Sequence, residues 1–268
     1  MKKGRAHDDD RAGEGDERLV LGTHPVEEVL RTRPKAVRAL FVAPPPHGRV
    51  NYSGPLEAIV ALAKQHGVRV TSEPMRALDD RARGVRHQGV VAVCAAYDYA
   101  DFEQTLAALK DKTHALVVLL DSVQDPHNAG AIIRSACAFS ADLVVVPKDR
   151  ASPITAQVER AAAGTTERIP IARVTNLKRA MEALKEAGFW LVGAGTRGGT
   201  ALPGFTFADK TGLVIGAEGD GLRQGVEAAL DYVVTIPISE RAESLNASNA
   251  AAVILYELAR SRGLRAHP

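Results

Sequence analysis

The sequence predicts an α/β fold in two parts, a small α/β domain followed by a larger domain built on an open parallel sheet. Short runs rich in Val, Leu and Ile alternate with helix-period segments along most of the chain, as layered α/β domains require. From Ala115 onward the runs are continuously apolar, the pattern of parallel strands covered on both faces. Between the two parts, "DYADFEQTLAALKDKTH" has apolar positions at helical spacing and polar ends, which marks a helical linker over 98–114.

The first stretch, "MKKGRAHDDDRAGEGDE", carries both charge signs and almost no large apolar residue, so residues 1–17 read as a disordered tail. The small domain spans 18–97. In it "LVLGTHPVEEVLRT" is a short strand or turn leading into a helix, followed by the strand "RALFVA" and a Pro-Pro-Pro turn at 44–46. The helix "GPLEAIVALAKQHG" stops at Gly67, and the strand "VRVT", a short helix near "PMRALDD", the basic loop "RARGVRHQG" and the strand "VVAVCAAY" complete it. The larger domain spans 115–264. Its strands are "ALVVLLD", "DLVVVP", "RIPIARV", "FWLVGAG", "GLVIGAEG" and "YVVTIPI", with helices at 129–139, 153–163, 176–187, 223–230 and 246–261. Ligands of such sheets bind where loops leave the carboxyl ends of strands, which makes "SVQDPHNAG", "GAEGDG" and "PISERAESLN" natural partners in one site.

With 268 residues, 46% hydrophobic and 25% charged, the composition is that of a soluble globular protein. A net charge of +2 is too mild to identify a polyanion binder, because nucleic-acid contact depends on clustered cations. The two cysteines, Cys94 and Cys137, sit in apolar settings without metal-ligand spacing, which points to a reduced, cytoplasmic protein with no metal. No apolar run is long enough to span a bilayer, so no membrane association is expected.

Among the motifs, "GAGTRG" matches G-x-G-x-x-G, but "GTALPGFTF" follows it and no helix can start there to receive a pyrophosphate. The loop "GAEGDGL" places glycines at 216, 219 and 221 around Glu218. It is either an ordinary strand-to-helix turn or a close approach to a ligand. Before the last helix, Ser244, Asn246 and Ser248 offer three hydrogen-bonding side chains where one cap suffices. Arg134 lies among Ala131, Ile132, Ile133 and Ala136, so its guanidinium either snorkels to solvent or points into a cleft near Asn128 and Gly130.

Together, "LDSVQDPHNAGAIIRSA", "LVIGAEGDGL" and "IPISERAESLNASNAAAVILYE" resemble the three signatures of the SpoU (TrmH-like) family of RNA 2′-O-ribose methyltransferases. The front domain, with "GTHPVEEVL" and "RHQGVVAV", is similar to the substrate-binding domain of the branch that modifies a guanosine in large-subunit (23S) ribosomal RNA. The resemblance implies a SPOUT-type parallel-sheet domain with a C-terminal trefoil knot, an obligate homodimer, and S-adenosylmethionine as cofactor. Backbone groups at Gly216, Ile236 and Leu245 would hold that cofactor. Asn128 and Arg134 match the family's catalytic asparagine and arginine, and Glu218, Ser244 and Asn246 complete the polar set.

The family's third signature commonly has a methionine and a glycine after "IP" and a valine after the second serine. Here Ile238 with "SERAE", and Asn249, stand in their place. A guanidinium stays protonated in proteins, so Arg134 is expected to bind a substrate phosphate and stabilise a developing 2′-alkoxide rather than act as the base. An imidazole titrates near neutrality, which makes His127 a tempting base, but the family pattern leaves its position variable. For RNA phosphates the front domain offers Arg31, Arg33, Lys35 and Arg38, then Arg81, Arg83, Arg86 and His87, with a solvated face as the alternative reading. The rival functions are ribose methylation of transfer RNA and a non-catalytic RNA-binding or ribosome-assembly protein of the same fold.

Overall fold

The computed structural model describes residues 17–45, 52–195, 198–219 and 221–263. The tail expected over 1–17 therefore lies outside the described residues except for Glu17, and so do Pro46 of the proline turn, Thr196, Arg197 and Asp220. The chain divides into two compact units, one formed by residues 1–98 with 153–160, the other by 99–152 with 161–268.

The first unit is a four-stranded sheet in the order β1-β4-β2-β3, from β1 (Glu17–Leu21), β2 (Val37–Val42), β3 (Val70–Ser72) and β4 (Val90–Ala95). Strand β4 runs antiparallel to both its neighbours, while β2 and β3 are parallel. Alternation at period two divides β4: Val90, Ala92 and Cys94 join the core under α1 (Thr23–Thr32) and α2 (Pro55–Gln65), and Val91 meets α3 (Met75–Ala82) on the other face. The short helix α6 (Ala156–Ala161) supplies Ala156 to that second face, and its buried Glu159 pairs with Arg18 of β1. The sequence places this segment in the larger domain, whereas its contacts assign 153–160 to the first unit.

The second unit holds seven strands in the order β7-β6-β5-β10-β8-β11-β9, all in parallel register. They are β5 (Ala115–Leu120), β6 (Leu143–Pro147), β7 (Ile171–Val174), β8 (Trp190–Gly195), β9 (Thr200–Ala201), β10 (Lys210–Ile215) and β11 (Tyr232–Thr235). One face packs under α4 (Phe102–Leu109), α7 (Leu177–Glu186) and α8 (Gln224–Glu227), through Leu106, Val117, Val145, Met181, Leu184 and Val214. Leu106 and Leu109 of the 98–114 segment thus belong to this core. Helices α5 (Pro126–Ala138) and α9 (Ala247–Ser261) pack on each other and bury Ile132, Ile133, Ile254 and Leu255.

Some elements are shorter than expected. Strand β11 stops at Thr235 rather than continuing to Ile238, because Pro237 offers no ladder donor. Strand β7 begins only after Pro170, behind a 3₁₀ turn at Thr165–Glu167. Helix α8 covers four residues instead of the expected 223–230. The edge strand β9 was not visible in the apolar pattern, being two exposed residues long. No helix of the described residues is long and apolar enough to cross a membrane.

Candidate active site

The strand order reverses where β5 meets β10, and their last residues, Leu120 and Ile215, lie side by side. Such a switch point opens a crevice beyond the carboxyl ends of the strands. Two of the three loops singled out from sequence leave from here. The N–H of Asp121 donates to Ile215 O at 2.8 Å, which holds the loop starts together.

The β5–α5 loop ends at Asp125, whose carboxylate caps α5 by accepting from His127 N at 3.0 Å. Pro126 occupies the first turn, where its missing donor costs nothing. The chain then delivers Asn128 buried, at 6% exposure, with its amide facing the other two loops. Asn128 Nδ2 donates to Glu218 Oε2 at 3.0 Å, and Asn246 Nδ2 donates to Asn128 Oδ1 at 3.0 Å and to Glu218 Oε2 at 3.2 Å. Asn246 is also the N-cap of α9: its Oδ1 accepts from Ser248 N at 2.9 Å and from Ser248 Oγ at 2.6 Å. Asn246 therefore caps a helix and closes a three-residue network, with Ser248 as its capped partner, while Ser244 borders the cavity described next.

Gly216 is a glycine for a packing reason. A Cβ there would stand 2.4 Å from the backbone C and O of Gly221, because Ala217 and Gly221 exchange hydrogen bonds of 3.0 and 3.1 Å across the loop. The loop closes on itself this tightly and holds up Glu218, with Gly219 and Gly221 at positive φ.

Beside the network lies a cavity of about 480 Å³ bordered by Gly216, Glu218, Ile236, Ser244 and Leu245, all named from the sequence. Ile215, Leu222 and Ile254 add apolar walls. Four carboxylates, Glu218, Glu227, Glu240 and Glu243, line it, and no Lys, Arg or His does so among the described residues. A pyrophosphate-bearing cofactor would be repelled there, whereas a sulfonium with an ammonium group is attracted, and the volume suits one nucleoside-sized ligand. The residues present thus fit S-adenosylmethionine. Of the departures from the family pattern, Ile238 and Glu240 border the cavity, and Asn249 faces solvent.

Arg134 is placed elsewhere. It is solvent-exposed on α5, does not border the cavity, and has no partner among the described residues. His127 is likewise exposed. Sequence reasoning missed Asp121, whose fully buried carboxylate accepts from Arg223 N at 2.9 Å and from Arg223 Nε at 2.6 Å, tying the end of β5 to the loop after β10. An acid ending the apolar run "ALVVLLD" was the available signal. Glu227 was missed because a lone glutamate in a helix looks like surface.

In the first unit the basic residues separate into two groups. Arg31 is held by Glu27 at 2.6 Å, Arg38 by Glu17 at 2.7 Å, and Arg81 by both oxygens of Glu73 at 2.8 Å while lying over the Phe41 ring. Hydrogen bonds from Arg81 hold the Glu73 carboxyl below its usual range and raise the guanidinium in turn. Arg33 lies over the Tyr97 ring at 5.3 Å. Lys35, Arg83 and Arg86 are exposed and unpaired among the described residues. His87, expected with the phosphate contacts, is instead buried: its Nε2 lies 2.9 Å from Asp79 Oδ1, and its Nδ1 accepts from Gly89 N.

Comparison with known proteins bears directly on this architecture. Residues 115–256 match the SpoU rRNA Methylase family, and residues 19–100 match the RNA 2′-O ribose methyltransferase substrate binding family. A Bacillus subtilis protein assigned to the TrmH family of tRNA/rRNA methyltransferases, YacO, is 36% identical over 244 residues, covering 91% of this chain and 95% of its own. An uncharacterized tRNA/rRNA methyltransferase of Mycobacterium tuberculosis is 40% identical over 243 residues, covering 91% of this chain and 74% of its own. Among solved structures, the SpoU methyltransferase AviRb of Streptomyces viridochromogenes in complex with AdoMet superposes with a TM-score of 0.75 at 30% identity, covering 92% of this chain and 91% of that one. An acidic cavity, three signature loops joined beside it by hydrogen bonds and a matching substrate-binding unit lead to one conclusion: the chain belongs to the SpoU family of S-adenosylmethionine-dependent RNA methyltransferases.

Proposed function

We propose that this protein methylates the ribose 2′-oxygen of a guanosine in 23S ribosomal RNA, acting as a cytoplasmic homodimer whose C-terminal segment forms a trefoil knot. The observation that carries the chemistry is the cavity beside the Asn128, Glu218 and Asn246 network, which among the described residues has four glutamates and no cation. When bound, the cofactor supplies a methyl carbon already activated by its sulfonium. What remains for the chain is to align the ribose and help remove one proton.

Gly216, Ile236 and Leu245 border the cavity, and their backbone groups would hold the cofactor. The network fixes Asn128, and Ser244, which borders the cavity, would offer its hydroxyl to an incoming substrate. Arg134 binds a phosphate of the target and stabilises charge developing on the 2′-oxygen, with a phosphate oxygen or a water accepting the proton. Its exposed position fits a dimeric site. The cavity of one chain does not hold the guanidinium, and the α5 and α9 surface that carries it also exposes Val253 and Tyr256, at 41% and 56%. A second copy would cover that apolar surface and bring Arg134 to a shared centre. In the first unit, Lys35, Arg83 and Arg86 are available for RNA phosphates, and Arg31, Arg33, Arg38 and Arg81 would add contacts only by exchanging present partners.

The relatives' names cover both tRNA and rRNA, so transfer RNA is the second reading. The deciding experiment incubates protein-free total RNA with labelled S-adenosylmethionine and maps the modified nucleotide. Label on a 23S guanosine ribose is the expected result; label confined to transfer RNA selects the second reading, and no cofactor binding selects a non-catalytic RNA-binding protein.

A further inference from the structure

The carboxyl edge of the larger sheet carries a second cleft, of about 440 Å³, at the ends of β6 and β7. In the sheet order it lies on the far side of β5 from the strands that border the acidic cavity. Among the described residues three cations line it, Arg150, Lys178 and Arg223, against a single carboxylate, Asp149. Arg150 and Lys178 are exposed and unpaired among the described residues. Lys178 reaches across the cleft, its Nζ 4.0 Å from where a Cβ on Gly225 would stand.

Arg223 is the built component. The buried Asp121 grips its backbone N–H and its Nε, at 2.9 and 2.6 Å, while the two Nη atoms have no hydrogen-bond partner among the described residues. A guanidinium anchored from behind presents its remaining donors at low entropic cost, the arrangement used for phosphate oxygens. Collecting cations in a concave site raises their mutual repulsion unless an anion relieves it, and the concavity focuses their field. Pro147, Leu177 and Val226 give the cleft an apolar side against which a sugar can rest.

We propose that this cleft is a phosphodiester subsite for the RNA substrate, in which Arg150, Lys178 and Arg223 hold a phosphate of a nucleotide flanking the methylated one. The proposal rests on the RNA methyltransferase reading of the neighbouring cavity. The opposite signs sort the two ligands: the cationic cofactor is repelled here and the polyanion is repelled by the four glutamates. Asp121 also begins the loop that leads into α5, whose first turn carries Asn128, so the subsite and the catalytic network share one short connection.

The test compares wild-type protein with Arg150→Gln/Lys178→Gln. Affinity for unmodified 23S rRNA and tRNA transcripts is measured across a salt series, and S-adenosylmethionine affinity by calorimetry. The double variant is expected to bind its RNA roughly tenfold more weakly, with a salt slope shallower by about 0.7 per cation removed, and cofactor affinity unchanged. Lys178→Glu, a single exposed change, should weaken RNA binding in the same direction, which covers the case of a misfolded double variant. Wild-type RNA affinity and slope in these variants, with methylation by the wild type intact, would overturn the subsite alone. Failure of the wild type to bind or methylate either RNA would overturn the underlying reading as well. Guanosine monophosphate and inorganic phosphate serve as competitors; saturation of the cleft by either with RNA binding undisturbed would make it a mononucleotide or phosphate site and overturn the proposal.

Discussion

The two clefts beyond the carboxyl ends of the larger sheet stand on different strands of one parallel sheet, and among the described residues one is lined by four glutamates and no cation and the other by three cations and one aspartate. The difference does not come from the scaffold, since both open at the carboxyl edge of one sheet of buried apolar strands. It comes from the connections between strands: 216–222 and 236–245 supply three of the glutamates and α8 supplies Glu227, while 147–150 and the starts of α7 and α8 supply the cations. A parallel sheet offers a row of sites on one edge, and loop composition alone decides which ligand each accepts.

The comparison can be broken at its centre first. Arg134→Lys keeps the charge and loses the planar fork, and turnover is expected to fall about 10² to 10³-fold. S-adenosylmethionine affinity should be retained, because Arg134 does not border the cavity. Full single-turnover activity would remove Arg134 from the mechanism. Next in size is Asn246→Ala, which deletes the α9 cap and leaves Asn128 Oδ1 without its donor. The expected cost is about 2 kcal/mol of stability, read by thermal melting, with turnover reduced at least tenfold relative to the folded fraction. An unchanged melt would mean that the network carries no structural weight.

Smaller effects test charge itself. Glu243→Gln should lower affinity for S-adenosylmethionine by a few fold and for S-adenosylhomocysteine, a zwitterion without the sulfonium charge, by less, which competitive titration resolves; equal losses would show that the cleft does not discriminate by sign. The smallest expected effect is at His127. It is exposed outside both clefts, so His127→Ala should methylate at the wild-type rate, and a collapse to the level of Arg134→Ala would reinstate it as a base.

Much of this was legible in the sequence because parallel strands are continuous apolar runs and because the loops leaving them must lie on one edge. That reasoning brought "PHNAG", "GAEG" and "SLNAS" together, and the structure joins Asn128, Glu218 and Asn246 by hydrogen bonds of 3.0 to 3.2 Å. What sequence did not reveal were pairings between distant charges. Nothing in "RARGVRHQG" shows that His87 folds inward on Asp79 while Arg86 stays outside, since the choice depends on a partner helix. Nor does "GAEG" show that Gly216 serves contact with Gly221, because a glycine required by a neighbouring backbone looks the same in sequence as one required by a ligand. The anchoring of Arg262, whose guanidinium donates to Ala208 O and Asp209 O at 2.8 and 2.7 Å and is pushed down from its usual pKa by burial, follows the same rule.

The short segment 153–160 bears on how such proteins can be taken apart. It returns to the first unit from within the sequence of the second, setting Ala156 against that unit's core and burying Glu159 beside Arg18. Cutting the chain once near residue 98 would expose those side chains and leave the Glu159 carboxylate without Arg18. Transplanting the substrate-binding unit from a relative that recognises a different RNA therefore requires two grafts, residues 1–98 and the strap at 153–160. A chimera made with the first graft alone would be judged for specificity when its real defect is an orphaned acid.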